Sequence, residues 1–317
     1  METFYADKGI RESAGRKIRL TELEMFGIVQ SDRAEKLIKQ GPVRSFHEET
    51  CGYENQQTKG FNMKKIAFCN QKGGVAKTTS ALNISAYLAL HGQKTLLIDL
   101  DPQANATSGA GIDKSKIEHS VYNILQEEAT VEQAIMPTEI ENLYIVPSNI
   151  HLTGAEIELV NVMGREYRLK KALQSMQENF DYITFDCPPS LGLLTVNGLT
   201  AANSVLIPIQ CEYYALEGLG QLISTVELIR RNLNSTLEIE GILMTLADYR
   251  TNLTKEVIKE VQKYFGDKVY KTIIPRTIKL TEAPGFGKPI ALYSQNSTGA
   301  IKYKDATLEL LRAHGRA

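Results

Sequence analysis

From Lys64 onward, short runs rich in β-branched residues alternate with longer amphipathic ones, and this alternation limits what the chain can fold into. The short runs are KKIAFCN, KTLLIDL, LYIVPS, DYITFD, SVLIPIQ, GILMTL and VYKTIIP. Between several of them lie helical patterns such as TTSALNISAYLALHG, ALEGLGQLISTVELIRRNL and TKEVIKEVQKYFG, the first and last closing on glycine. Strand and helix in alternation predict an α/β fold: a mainly parallel, twisted sheet covered by helices on both faces. Residues 1–62 follow a different pattern. They hold no clear strand, one helical pattern at SDRAEKLIKQG and a polar stretch, HEETCGYENQQTKG, that reads as a linker. The expected division is therefore 1–62, a partly flexible N-terminal extension, and 63–317, the α/β domain. Met63 directly precedes the first strand, which leaves two readings of the extension: an added module, or a start site assigned too early.

A chain of 317 residues with 43% hydrophobic content can bury a sizeable core. No apolar run approaches the ~20 residues that span a bilayer, and the first thirty residues lack a secretory pattern, so a cytoplasmic protein is expected. Cys51, Cys69, Cys187 and Cys211 are widely spaced and form no C-x-x-C pair. They suggest neither a disulfide framework nor a metal site, and the last three read as thiols in or beside strands. With 36 basic and 37 acidic residues, the chain has no global attraction for nucleic acid, and any DNA binding needs a local patch.

Residues 70–79 read NQKGGVAKTT. A strand precedes this segment and a helix opens inside it, the context in which backbone N–H groups and a positive helix end converge on a phosphate. The usual loop pattern G-x-x-x-x-G-K-[ST] is broken by Gln71 and Ala76, and an extra lysine, Lys72, lies five residues before Lys77. On the phosphate reading, Lys77 reaches the β- and γ-phosphates and the Thr78 hydroxyl ligates Mg²⁺. Gly73 and Gly74 permit the backbone geometry, and Ala76 is small enough for phosphate to approach. The plainer alternative is a glycine turn between strand and helix. Lys72 has two readings as well: a cation that reaches a phosphate on a facing copy of the protein, or an exposed lysine with no role.

KGGVAKTT resembles the deviant Walker A motif KGG-x-x-K-[ST]-T of the ParA/MinD ATPases. The likeness continues through LLIDLDPQANAT, DYITFDCPP, PIQCEYYALEGL and IPRTIKLTEAPGFGKPI, from about residue 64 to 310. These segments look like a Soj/ParA-type chromosome or plasmid partitioning ATPase, with Ala76 standing where glycine is the commonest form. The resemblance implies a P-loop fold that binds ATP and Mg²⁺ through Lys72, Gly73, Gly74, Val75, Ala76, Lys77, Thr78 and Thr79, with Lys72 reaching across an ATP-bound homodimer. It further implies slow hydrolysis of ATP to ADP and phosphate, with Asp101 placing the attacking water and Asp186 holding the metal through a water. Pro275 and Arg276 are implied to lie near the base. Also implied are non-specific binding of double-stranded DNA, a ParB-like centromere-binding partner and residence on the nucleoid.

Several residues keep alternatives open. Asp99 reads equally as part of the metal's outer shell and as a cap for the following turn, and Asp186 also as an N-cap aspartate. Lys279 stands where relatives usually carry arginine, and Glu227 where some carry a basic residue, with Arg230 and Arg231 one turn later; Lys279, Arg230 and Arg231 are the expected DNA contacts. Lys255, Lys259 and Lys263 share a helix face, either a DNA patch or, given Glu256 and Glu260, a solvated mixed-charge face. Other classes compete. A MinD-like, membrane-associated positioning ATPase needs a basic amphipathic tail, whereas DATLELLRAHGRA reads as a closing core helix. A metallocluster carrier needs a cysteine pair that is not present. The extension alone suits a small regulatory module, but its ten basic and ten acidic residues give DNA no net attraction, and a weak docking or structural role fits better.

Overall fold

The computed structural model describes residues 63–212 and 215–316. The helix and linker expected in the extension, and Cys51, lie outside the described residues. Seven strands form one sheet: β1 (Lys64–Phe68), β2 (Thr95–Asp99), β3 (Met136–Pro137), β4 (Leu143–Val146), β5 (Tyr182–Asp186), β6 (Ser204–Gln210) and β7 (Glu238–Thr245), in the order β3-β4-β2-β5-β1-β6-β7. Every pairing is parallel except that of β3 with β4. All residues of β2, β5 and β6 are buried, as strands covered on both faces must be, which accounts for their near-continuous apolar sequences.

Among the described residues, twelve α-helices connect and cover the strands: α1 (Lys77–Leu90), α2 (Asn105–Gly109), α3 (Val121–Leu125), α4 (Val131–Ala134), α5 (Leu152–Glu158), α6 (Arg168–Ser175), α7 (Leu193–Ala201), α8 (Ala215–Asn232), α9 (Asn252–Phe265), α10 (Ile278–Glu282), α11 (Ile290–Tyr293) and α12 (Thr298–Ala313). A large apolar cluster joins β1 and β2 to α1 and α12 through Ile66, Phe68, Ile84, Leu88, Leu97 and Leu310. Each such side chain contributes roughly 1.5–3 kcal/mol by leaving water. Inside it, the Tyr303 hydroxyl finds Ser80 Oγ at 3.1 Å, so the one polar atom of that large ring is satisfied. α12 is thus the closing core helix expected from DATLELLRAHGRA, with Leu310 and Leu311 both buried.

VYKTIIP does not form the seventh strand expected of it. It runs beside β7, forms two isolated bridges, Ile242 with Val269 and Ala247 with Pro275, and donates the Tyr270 and Ile274 N–H groups to the Ile242 and Met244 carbonyls at 2.9 Å each, without a continuous ladder. The competitor is a side chain: Glu309 on α12 accepts the backbone N–H groups of Lys271 and Thr272 at 2.7 and 3.1 Å, which removes them from any ladder with β7. β3 instead supplies the edge strand. It is too short for alternation to be visible in the sequence.

Register decides what the sheet presents at its carboxyl edge. β5 pairs with β2 so that Asp99 lies opposite Asp186, and with β1 so that Phe68 lies opposite Asp186. The phosphate-loop sequence and both strand-end aspartates therefore emerge at one edge, where ligands of parallel α/β sheets bind.

Candidate functional site

The segment from Asn70 to Ala76 turns between β1 and α1 and is held at three points. The Asn70 amide donates to the Pro208 carbonyl (2.7 Å), and its Oδ1 accepts the Lys72 N–H (3.0 Å). On the far side, the Thr245 hydroxyl at the end of β7 donates to the Val75 carbonyl (3.0 Å). Gly74 has φ +73°, and no heavy atom lies within 4 Å of where a Cβ would sit on Gly73 or Gly74, so the loop is lined by bare backbone. Ala76 has φ +63°, a left-handed conformation that costs an alanine roughly 1–2 kcal/mol. That cost explains physically why glycine suits the position better.

Lys77 opens α1 almost fully buried, and its Nζ donates to the Lys72 carbonyl (3.1 Å). Burial lowers its pKa, opposed chiefly by the nearby Asp186. Asp186 is wholly buried, and neither carboxylate oxygen receives a hydrogen bond. Desolvation first, and then the neighbouring Asp99, raise its pKa well above the ordinary range. The Thr78 hydroxyl approaches closely enough to pull it back, without the geometry of a completed bond. An unpaired buried carboxylate facing a lysine and a threonine hydroxyl is an arrangement that a hydrated cation completes. Among the described residues no group of three or more His, Cys, Asp or Glu could hold a metal. The donors present therefore suit Mg²⁺, which keeps its waters and binds through one or two protein groups plus substrate phosphates.

Asp99 is also fully buried, but it is satisfied. It accepts from the Thr107 N–H (2.8 Å), the Thr107 hydroxyl (2.7 Å) and the Asp101 N–H (3.1 Å), which is the turn-capping arrangement. Burial pushes its carboxyl up to about 6 against those bonds. Through the Asp101 N–H it orients Asp101, whose own Oδ1 accepts the Gln103 N–H at 3.0 Å. Asp101 is itself buried, 7% exposed, two residues beyond the end of β2.

One residue that the sequence did not single out sits at the mouth of the site. Glu212, two residues past β6, pairs through Oε2 with Lys72 Nζ at 2.9 Å. Its Oε1 accepts the Gln210 amide and lies 3.9 Å from the Arg276 guanidinium. Arg276 is in turn held by its N–H to the Ala247 carbonyl (3.1 Å), beside the bridge between Ala247 and Pro275. The sequence signal for Glu212 was an acid just beyond a carboxyl strand end, in PIQCE. Lys72 is thus ion-paired within the single chain.

The basic residues expected to meet DNA lie on α8 and α10, away from the loop in sequence. Lys279 is exposed, donates to Glu282 (3.0 Å) and lies over the Tyr293 ring. Arg231 pairs with Glu227 at 3.5 Å, and Arg230 lies half-buried beside it. On α9, Val257, Val261 and Phe265 face the core while Lys255, Lys259 and Lys263 are exposed, an arrangement that serves either reading of that face. Cys69, Cys187 and Cys211 are free, buried thiols directly after β1, β5 and β6.

The family model described as an AAA domain, AAA_31, matches residues 63–239. The sporulation initiation inhibitor protein Soj of Bacillus subtilis is 58% identical over 247 residues, covering 78% of this chain and 98% of Soj. The chromosome partitioning protein ParA of Myxococcus xanthus is 50% identical, covering 78% of this chain and 87% of ParA. Among solved structures, cobyrinic acid a,c-diamide synthase from Mycobacterium smegmatis, with bound ATP analogue and magnesium, superposes with a TM-score of 0.69 at 40% identity, covering 79% of this chain and 95% of that one. With the loop, the strand-end aspartates and these likenesses in agreement, the chain belongs to the Soj/ParA family of chromosome-partitioning ATPases with an AAA_31 domain.

Proposed function

We propose that this chain is an ATPase that dimerises with ATP, binds double-stranded DNA without sequence preference as that dimer, and moves a chromosome or plasmid with a ParB-like centromere-binding partner. The observation that carries the reading is Asp186: a buried carboxylate with both oxygens unpaired, facing the Lys77 and Thr78 end of α1. Residues 72–79 cradle the phosphates on bare backbone, Lys77 neutralises them, and Thr78 with Asp186, through a water, holds the metal. Bound magnesium supplies charge neutralisation on the β- and γ-phosphates. Asp101 orients the attacking water, Pro275 and Arg276 flank the base, and Lys72 of one copy reaches a phosphate on the other. Because ATP carries more negative charge than ADP, cross-subunit lysines favour the dimer in the ATP state. Residues 63–317 form the ATPase domain and 1–62 a separate extension, and the protein works in the cytoplasm on the nucleoid.

DNA contacts are assigned to Lys279, Arg230 and Arg231, whose patch the dimer doubles. Single phosphate contacts are weak and salt-sensitive, so doubling the patch raises affinity steeply. A MinD-like membrane role is not favoured, because the last turns of α12 spend Leu310 and Leu311 on the core and leave them no part in a bilayer-facing stripe. The test is retention of unrelated DNA sequences at moderate salt. Retention with ATP, release with ADP and failure of Lys72→Ala to dimerise while still binding nucleotide support the reading. Equal retention with both nucleotides, or preference for one short sequence, overturns it.

A further inference from the structure

The rim of the site contains a contact that the reading above does not use. Gln210, buried at the end of β6, donates its amide to Glu212 Oε1 and so turns Oε2 toward Lys72, 2.9 Å away. The lysine assigned to the other subunit's phosphate is therefore held by its own chain. Both partners are only half-buried, with side-chain exposures of 40% and 46%, so the pair can open. A second tie runs through the backbone, where Lys77 Nζ donates to the carbonyl of Lys72 itself.

We propose that Glu212 is a positioning residue that latches Lys72 in cis and sets the threshold for ATP-dependent dimerisation; this rests on the dimer reading given above. The order of events follows from the two ties. When Lys77 turns its ammonium to the nucleotide's phosphates, it leaves the Lys72 carbonyl and frees the main chain at that residue. Lys72 then exchanges the Glu212 carboxylate for a phosphate on the facing copy, a more highly charged acceptor. Glu212 remains with Gln210 and Arg276, so its charge is not abandoned when the lysine departs. A monomer thus presents a neutralised lysine to solvent and to DNA, and only a nucleotide-bearing partner offers enough negative charge to draw it out.

The magnitude is modest by design of the site. A half-exposed ion pair shifts an equilibrium roughly twofold to fivefold, and a dimer opens two latches, so removing both lowers the dimer dissociation constant roughly four- to twenty-fivefold. The experiment compares wild type with Glu212→Gln, which keeps the shape and the polar contact to Gln210 but discharges the latch. Dimerisation is followed by light scattering against protein concentration, with a non-hydrolysable ATP analogue and magnesium, at low and high salt; monomer affinity for the analogue is measured in parallel. The latch predicts tighter dimerisation of Glu212→Gln, unchanged analogue affinity, and a gap between the two proteins that narrows as salt screens the pair. A merely structural role for Glu212 produces no salt-dependent gain. Glu212→Ala should move the same way, which guards against an effect peculiar to glutamine. If wild type dimerises and Glu212→Gln matches it or dimerises less tightly, the latch is wrong and the dimer stands. If neither protein dimerises with the analogue, the dimer reading itself fails and the latch falls with it.

Discussion

At the carboxyl edge of the sheet Asp186 is buried with neither oxygen hydrogen-bonded, whereas at the amino edge Glu240, with 12% of its side chain exposed, is bonded at both. His314 Nε2 meets Glu240 Oε1 at 3.0 Å, and the Ser204 hydroxyl donates to Oε2. The other ring nitrogen of His314 pairs with the Tyr182 hydroxyl (3.0 Å), and the imidazole stacks on the Tyr182 ring. Arg316 lies against that same ring and pairs with Asp181 at 3.6 Å. The amino edge thus ties the chain past α12 to the starts of β5, β6 and β7. Buried polar groups stabilise a fold only when every member of the network is satisfied. A network completed by the chain itself is a structural lock, and a carboxylate left incomplete is reserved for what binds there. The two edges of one sheet divide stability from chemistry in this way.

The largest expected effect is at the incomplete edge and is kinetic. Asp101→Ala should retain ATP and magnesium but lose hydrolysis by roughly 10²–10⁴-fold, the usual scale for a positioned group acting on the attacking water. Lys77→Ala should instead abolish ATP binding. Single-turnover assays with labelled ATP separate the two, and a wild-type hydrolysis rate in Asp101→Ala would remove the water-positioning role. At the complete edge, Glu240→Ala should leave ATP affinity unchanged and cost about 2–4 kcal/mol in urea unfolding, because it strands His314 and the Ser204 hydroxyl. A change in nucleotide affinity with intact stability would reverse the division between edges.

The sequence revealed more of the incomplete edge than of the complete one. Period and composition located six of the seven short runs as strands because they are largely buried, β2, β5 and β6 throughout, and the phosphate loop was legible because its glycines and lysines are contiguous. Asp186 and Asp101 could be found because strand ends in a parallel sheet share an edge. What stayed hidden depends on side chains that meet from far apart in the chain. Lys72 and Glu212 are separated by 140 residues, Thr245 and Val75 by 170, and Glu240 and His314 by 74. The failure of VYKTIIP as a strand has the same origin, since Glu309 lies on a helix the local pattern could not place against it. Asp99 was readable only as one of two roles, and the three hydrogen bonds it accepts are what assign it to the turn.

A smaller effect tests whether incompleteness carries a stability cost. Asp186→Asn replaces a buried carboxyl that no hydrogen bond supports, so its unfolding free energy should stay within about 1 kcal/mol of wild type, even though magnesium-dependent nucleotide binding is lost. The loss of a close countercharge for Lys77 offsets part of the relief. Glu240→Gln, an equally conservative change at the other edge, should be clearly the more destabilising of the two. Chemical unfolding without nucleotide ranks them. If Asp186→Asn proves the worse, its carboxylate is serving the fold and the contrast is lost.

The smallest effect is a difference in sign with pH. Burial pushes the Glu240 carboxyl up, but the hydrogen bond and charge of His314, with Ser204 and Lys268, outweigh it and hold the group below the ordinary glutamate range. A depressed carboxylate stabilises the fold above its unfolded pKa, near 4.3, and that contribution disappears as pH falls through the folded value. Asp99 runs the other way. Desolvation pushes it up to about 6, despite the bonds from Thr107 and Asp101. Between about pH 6 and its unfolded value near 3.9, the folded chain binds more protons at this site than the unfolded chain does, so acidification favours the fold. From pH 7 to 5, Asp99 should therefore add about 1 kcal/mol of stability, before the loss at Glu240 sets in at lower pH. Urea titrations at half-unit steps check both limbs. Asp186, raised further by desolvation and then by Asp99, adds to the gain in the same direction, so Asp99→Asn should reduce the gain between pH 7 and 5 without abolishing it, and Glu240→Gln should flatten only the acid limb. A gain undiminished in Asp99→Asn would mean that Asp186 alone holds the proton at the carboxyl edge.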